Sequence, residues 1–393
     1  MEKLDILFIV LLSIIFYSYI GYGILLYFVV LIKRLVYRKQ TKKIERNQLP
    51  SVTLIVAAYN EADFIEKKIS NSFDLSYPKE KLEYIFISDG STDNTPELIA
   101  NFKKIKLLHK SERRGKTAAL NSAVSYANGE IVVFSDANTL LNSEAINEIV
   151  KHYENPKCGC VSGEKRIIVP DEAQASAAGE GLYWKYESKL KQLDAELYSA
   201  TGAAGELFSI RRCLFKAVEE DSILDDFVIS LRIVQLNYFI AYEPNAFATE
   251  FASDGVEEEI KRKIRICAGG FQSIFRLLPL LNVFKYGIFT IQYVSHRLLR
   301  WTLAPLALFL LIPLNIIGVY SGDEFYSFIM IAQIAFYSFS VLGWKFEKLK
   351  TRKKIFFIPF YFTLMNYAVF AGFKRFIMGG QSHIWQRAKR ATV

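Results

Sequence analysis

Cysteine is scarce, with four in 393 residues: Cys158, Cys160, Cys213 and Cys267. That argues against the disulfide framework of a small secreted protein and fits a reducing compartment. A zinc knuckle is excluded as well, because Cys158 and Cys160 are too close in sequence and no second pair or nearby histidine completes a site. Charge is missing locally. Residues 4–32, LDILFIVLLSIIFYSYIGYGILLYFVVLI, carry one charged side chain, Asp5, at the edge. A run of that length spans a bilayer core of about 30 Å. No small-x-small cleavage site follows it, which argues for a retained helix over a signal peptide. The phosphate-loop spacing of a nucleotide triphosphatase is also lacking.

What the chain does have is 51% hydrophobic residues, 15% aromatic residues and a net charge of +9. Its length allows two domains, or one domain with a membrane part. The positive charge is concentrated beside the apolar run, at Lys33, Arg34, Arg38, Lys39, Lys42, Lys43 and Arg46. A cluster there is the positive-inside signature and suits anionic lipid headgroups, so it points to a lipid bilayer as partner and not to nucleic acid. The expected organisation is an N-terminal transmembrane helix (1–34), a basic linker (35–49), an α/β domain (50–255), a basic motif with interfacial helices (256–300), C-terminal spans (301–377) and a basic tail (378–393). The spans fall at 302–320, 325–344 and 355–373. Four spans put the tail outside, whereas its QRAKR prefers the inside; a re-entrant or interfacial last segment would remove the conflict. Trp385, with His383 and Arg387, suits an aromatic interface anchor.

Between 50 and 255, apolar strands alternate with helical stretches: SVTLIVAAYN, LEYIFISDGSTDNT, IKLLHKS and EIVVFSDAN precede or follow segments of helical spacing. That alternation predicts a mostly parallel sheet, with ligands at the carboxyl ends of its strands. Those ends carry Tyr59-Asn60-Glu61, Asp89-Gly90-Ser91 and Asp136-Ala137-Asn138. Asp136 and Asn138 can either close an Asx-turn or offer oxygens to Mg²⁺ or Mn²⁺. Asp89 lies in a stretch that can simply cap the next helix. Arg113, Arg114 and Lys116 surround Gly115 at a helix start, a plausible diphosphate site. Further on, EEDSILDDFVISLRI sets Asp225 and Asp226 side by side in an apolar run, either as a helix start that favours the dipole or as a paired functional site. Arg211 and Arg212 can hold a phosphate or pair with carboxylates. Glu180, Trp184 and Tyr186 suit an amphipathic helix over the cleft or core packing.

The order and spacing of VAAYNE, SDGSTDNT, RGKTAALN and SDAN, followed by TGAAGELFSIRRCLF, LDDFVISLRI and RKIRICAGG, resemble the family 2 glycosyltransferases, inverting enzymes of GT-A fold. The similarity covers about residues 50–300 and is nearest to bacterial cellulose-synthase-like and poly-N-acetylglucosamine-synthase-like membrane enzymes. It implies a Rossmann-like, mostly parallel α/β domain flanked by membrane and interfacial helices. It implies sugar transfer from a nucleoside-diphosphate donor, a UDP-sugar foremost, to a glycan or lipid-linked acceptor in surface polysaccharide synthesis at the bacterial cytoplasmic membrane. On that resemblance, Ala58, Tyr59, Glu61, Asp89, Lys116, Asp136, Arg262 and Arg265 face the donor. Asp136 and Asn138 hold Mg²⁺ or Mn²⁺, and Gly202, Arg211 and Arg212 lie on the acceptor side. Asp226 is the general base and Asp225 its neighbour.

Three positions depart from the family pattern. Asn138 replaces the second metal aspartate, Arg262 a glutamine, and Ile266 the tryptophan that lies at the acceptor sugar in processive synthases. The last departure keeps a single-sugar transferase making a glycolipid as an alternative. An inactive nucleotide-sugar-binding subunit is disfavoured because Asp89, Asp136, Asp226 and Arg265 are all present. Three C-terminal spans are few for a self-contained pore, so a homo-oligomer is conceivable.

Overall fold

The computed structural model describes residues 2–36, 49–168, 175–251, 255–348, 354–382 and 384. One eight-stranded sheet organises the chain: β1 (Val52–Ala58), β2 (Leu82–Asp89), β3 (Ile105–Lys110), β4 (Ile131–Asp136), β5 (Leu140–Leu141), β6 (Cys158–Ile168), β7 (Leu207–Arg211) and β8 (Phe239–Phe251). Its order is β3-β2-β1-β4-β7-β6-β8-β5. β1 to β4 pair in parallel, β7 runs antiparallel to both β4 and β6, and β6 pairs β8 in parallel. The sheet is therefore mostly parallel in its first half and mixed in its second. Its central strands are almost wholly apolar because both faces are covered, as parallel sheets require. One face packs Ile55, Ile87 and Phe134 with the following helices, and the other packs Leu54, Phe86 and Val133.

The domain helices are α3 (Ile65–Phe73), α4 (Thr95–Ala100), α5 (Lys116–Val124), α6 (Ala145–Val150), α7 (Ala175–Leu197), α8 (Asp225–Gln235) and α9 (Val256–Arg276). They follow α1 (Glu2–Phe16) and α2 (Tyr22–Val36), which run on through a π-helical stretch at Tyr17–Gly21 as one continuous helix. After α9 come three short helices, α10 (Val283–Tyr286), α11 (Ile288–Tyr293) and α12 (Leu299–Trp301). Three long ones close the described chain: α13 (Leu303–Tyr320), α14 (Glu324–Lys348) and α15 (Lys354–Ile377). Among the described residues, four helical segments are long and apolar enough to cross a membrane: 3–36, 303–320, 324–347 and 355–377. Asp5, the one charge of the first run, accepts a hydrogen bond from Tyr326 of α14 at 2.6 Å, so it ties two apolar helices together.

Two basic residues beside the first span have a definite task. Lys33 donates to the carbonyls of Glu196 and Leu197 at 2.7 and 2.8 Å, and Arg34 pairs with Glu196 at 2.7 Å. These contacts satisfy carbonyls at the end of α7 that have no partner within the helix. Arg38, Lys39, Lys42, Lys43 and Arg46 lie outside the described residues, as do His383, Trp385 and Arg387. The last helix does not stand apart: α15 runs beside α9 along its length. Tyr361 donates to Glu259 at one end, Gly372 touches Cys267 and Ala268 in the middle, and Phe376 stacks near Phe271 and Phe275 at the other.

Candidate active site

Strand register places the polar strand ends together. Ala57 lies beside both Ile87 and Asp136, and Ala58 beside Ser88, so the carboxyl ends of β1, β2 and β4 form one edge. Pairing of Ser135 with Leu207 brings the 201–206 loop to the same edge from the antiparallel β7. Ser230, in the second turn of α8, accepts from the Ala203 amide at 3.0 Å and thereby seats α8 against that loop. Gly202 makes this approach feasible: its φ is +109°, and a Cβ there would lie 2.5 Å from the Phe227 ring. Gly205 sits so close that a Cβ would meet Asp226 Oδ2 at 3.3 Å.

The doubled aspartate is the first turn of α8, whose N-cap is Leu224 with no side-chain cap bond. Both carboxyls line a cavity of about 1040 Å³, together with Glu61, Lys116, Asp136, Asn138, Arg262 and Arg265. Lys116 organises the centre, with its ammonium 2.6 Å from Asp136 Oδ1 and 3.6 Å from Asp225 Oδ2. Burial opposes the Lys116 charge, but Asp136 and Asp225 outweigh it and hold its pKa above the usual value. Asp136 is pushed up by burial, against the pull of Lys116, with Glu206 and Asp225 adding repulsion. Asp226 is pushed up to about 7, first by burial and then by the adjacent Asp225. A carboxyl poised near neutrality is what proton abstraction at physiological pH needs.

Of the turn alternatives, the Asx-turn at 136–138 is not formed. The Asp136 carboxylate takes Lys116, and the turn is closed by the Thr139 amide and hydroxyl on the Asp136 carbonyl. The Asn138 amide has no hydrogen-bond partner among the described residues and faces the cavity. No group of three or more histidine, cysteine, aspartate or glutamate side chains converges as a metal cage among the described residues. The residues nevertheless fit a divalent ion held by one carboxylate and completed by diphosphate oxygens, the usual mode for Mg²⁺. The accumulated negative charge of Asp136, Asp225 and Glu206 is the feature such an ion would relieve.

The remaining expected residues divide. Asp89 is buried and accepts from the amides of Arg114 and Gly115 at 2.9 and 2.7 Å, so its carboxylate shapes the loop before α5. Beside it, Ala58, Tyr59 and Arg113 line a small slot, with the Arg113 guanidinium 3.5 Å above the Tyr59 ring. Glu61 is buried at the mouth of α3, its amide donating to Thr95. Arg262 is paired with Glu259 at 2.8 Å, whereas the Arg265 guanidinium has no hydrogen bond or ion pair among the described residues. Arg211 and Arg212 are a correction. Both stand at the amino-terminal edge of β4, where Ile131 pairs Arg211, and they hold carbonyls: Arg211 those of Tyr153, Asn155 and Cys158, Arg212 that of Gly129. Antiparallel pairing sends the end of β7 away from the cleft, so neither reaches an acceptor.

Trp184 and Tyr186 of α7 do line the cavity; the Glu180 side chain lies outside the described residues. Several lining residues escaped sequence reasoning. Glu206 is one: burial opposes its charge, yet Lys165 holds its pKa down at about 2. Glu187, Lys191, His296, Arg297 and Arg300 are others. Periodicity alone offers no signal for them, since they meet only when α7 packs against the Val294–Leu298 turn and α12.

A sheet with this order, an acidic and basic cluster at its carboxyl edge and a helix bearing arginines across the cleft define a GT-A glycosyltransferase. Residues 53–218 match the model of glycosyl transferase family 2, so the chain carries a domain of that family and is a glycosyltransferase. It is 28% identical over 288 residues to the poly-β-1,6-N-acetyl-D-glucosamine synthase of Staphylococcus epidermidis, across 70% of this chain and 68% of that protein. With the Staphylococcus aureus protein of the same name it shares 27% over 267 residues, across 65% and 63%. A mannosyltransferase from Pyrobaculum calidifontis, solved with GDP-mannose and Mn²⁺, has the same fold, with a TM-score of 0.72 at 22% identity over 96% of this chain and 99% of that one. With four apolar helices beside the domain, the chain is a membrane protein.

Proposed function

We propose that this protein transfers a sugar, with inversion, from a nucleoside-diphosphate sugar to a glycan or lipid-linked acceptor in surface polysaccharide synthesis. The observation that carries it is Asp226, raised to about 7 at the head of α8 and facing a cavity shared with Lys116, Asp136 and Arg265, which has no ion pair among the described residues. The Asp226 carboxylate takes the proton of an acceptor hydroxyl. The freed oxygen bonds the anomeric carbon as the bond to the diphosphate breaks on the opposite face, and the nucleoside diphosphate leaves. Arg265 and Arg262 hold the charge that develops on the leaving group, the role for which preformed donors are effective. Asp136, with Asn138, would hold Mg²⁺ or Mn²⁺, whose chemistry is to neutralise that same diphosphate. Tyr59 and Asp89, at the ends of β1 and β2 beside this cavity, support a base and ribose position at that edge. The names of the staphylococcal relatives make UDP-N-acetylglucosamine the first donor to test.

Ile266 lines the cavity where a processive synthase is expected to place tryptophan, and this favours the single-transfer alternative as a second reading. The basic cluster after the first span supports a domain on the cytoplasmic face. The side-by-side run of α15 along α9 supports an interfacial α15, which leaves the basic tail on the cytoplasmic side and removes the conflict with four crossings. The full chain in lipid nanodiscs, given Mn²⁺ and a panel of radiolabelled nucleotide sugars, tests the reaction by product size. A ladder marks polymer synthesis and one added sugar the alternative; no transfer from any donor refutes both. A chelator should abolish transfer and Mn²⁺ restore it.

A further inference from the structure

The cavity does not end at the aspartates. It continues past α7 to Arg297 and Arg300, and then along the apolar side chains of α15, including Phe357, Phe362, Met365 and Val369. Its volume of about 1040 Å³ is at the upper end of ordinary ligand pockets. Charge along this second stretch is unbalanced. Glu187 is shared by Arg297 at 2.6 Å, His296 at 3.2 Å and Arg300 at 3.6 Å, while Asp194 is occupied by His296 and Tyr22. Lys191 stands beside them at 5% exposure and has no hydrogen bond or ion pair among the described residues. A buried ammonium without a partner is costly. Lys191 lines the same cavity as Arg297 and Arg300. Arg297 already donates to the Thr201 carbonyl at 3.3 Å, and Arg300 to the Ser18 carbonyl and the Tyr186 hydroxyl at 2.9 and 3.1 Å, so each is held in place with its remaining donors available beside Lys191, a set that suits a phosphate group.

We infer that Lys191, Arg297 and Arg300 bind the phosphate of an amphiphilic acceptor whose hydrocarbon tail lies against α15. The inference rests on the proposed transfer reaction for the meaning of "acceptor". The phosphate is an anchor that turns the acceptor's hydroxyl toward Asp226, and it is not itself the nucleophile. A neutral glycan would use the aromatic lining but would leave the Lys191 ammonium without an ion pair.

The test uses the full chain in phosphatidylcholine nanodiscs and reads binding by tryptophan fluorescence, since Trp184 and Trp301 line the cavity. Dodecyl phosphate, dodecyl glucoside and inorganic phosphate are titrated, with UDP titrated on the same samples. Saturable binding of dodecyl phosphate is expected, weakened about 10- to 100-fold in Lys191→Met and largely retained in Lys191→Arg, as loss of one charge-assisted hydrogen bond implies. UDP should bind all three proteins equally, which also shows that they are folded. Equal affinity for inorganic phosphate would reduce the site to a free-phosphate one and overturn the lipid assignment. Equal or tighter binding of the glucoside, or unchanged binding in Lys191→Met, overturns the phosphate anchor. Failure of UDP alone overturns the proposed reaction and leaves the anchor standing.

Discussion

Asp226→Asn separates the chemistry of the site from its stability, because the two should move in opposite directions. The substitution keeps shape and removes a carboxylate whose pKa rises from 3.8 to about 7 on folding, through burial first and Asp225 second. Loss of a general base costs about 10²- to 10⁴-fold in transfer. In the wild type, transfer should climb as pH rises through about 7, as the base loses its proton. Stability runs the other way. Between pH 3.8 and about 7 the folded state binds the Asp226 proton more tightly than the unfolded chain does, so the wild type loses stability as pH rises through that window. At about 1.4 kcal/mol per pH unit the loss has a ceiling of about 4 kcal/mol, reduced by the exposure Asp226 keeps toward the cavity. Asp226→Asn should therefore melt above the wild type at pH 8.5, with the gap closing toward pH 4. The assays are transfer and thermal unfolding across this range, with UDP affinity as the control. Transfer within tenfold of wild type at unchanged UDP affinity would refute the base assignment. An absent melting gap at pH 8.5 would refute the burial argument.

Arg265→Ala should weaken UDP binding about 10- to 100-fold in calorimetric titration, since its guanidinium has no partner within the described protein to lose. Gly202→Ala should destabilise by about 1–3 kcal/mol in denaturant unfolding, because φ is +109° and the Cβ would press on Phe227 at 2.5 Å. Asp89→Ala removes the acceptor for two backbone amides before α5; melting should fall by the equivalent of about 1.5–3 kcal/mol and UDP affinity should fall with it. A reporter fused after Val393 should be active in its cytoplasmic form, as an interfacial α15 requires; activity only in its exported form would restore four crossings.

Local signals read well where the chemistry is local. The alternation of apolar strands and helices specifies the sheet's parallel half, and the polar ends of β1, β2 and β4 specify its ligand edge. The second and third apolar spans end within a few residues of α13 and α14. What failed were contacts made across the fold. Arg211 and Arg212 look like phosphate ligands in a string, but the antiparallel β7 carries them to the far edge, where they hold three loop carbonyls and one more at Gly129. Lys33 and Arg34 look like lipid-facing charge, yet they finish the end of α7.

The sequence by itself determined the class of the domain, the apolar helices around it and the pairing of Asp225 with Asp226, because these follow from period, spacing and residue chemistry along one stretch. Only the tertiary structure decided what the carboxylates face. Lys116 reaches Asp136 and Asp225 because the start of α5 and the start of α8 meet at the edge of β4. The cationic end of the cavity exists because α7 packs against the Val294–Leu298 turn and α12, more than 90 residues away in the chain. Charge balance in a buried cleft is a property of neighbours in space, and no window of sequence contains it.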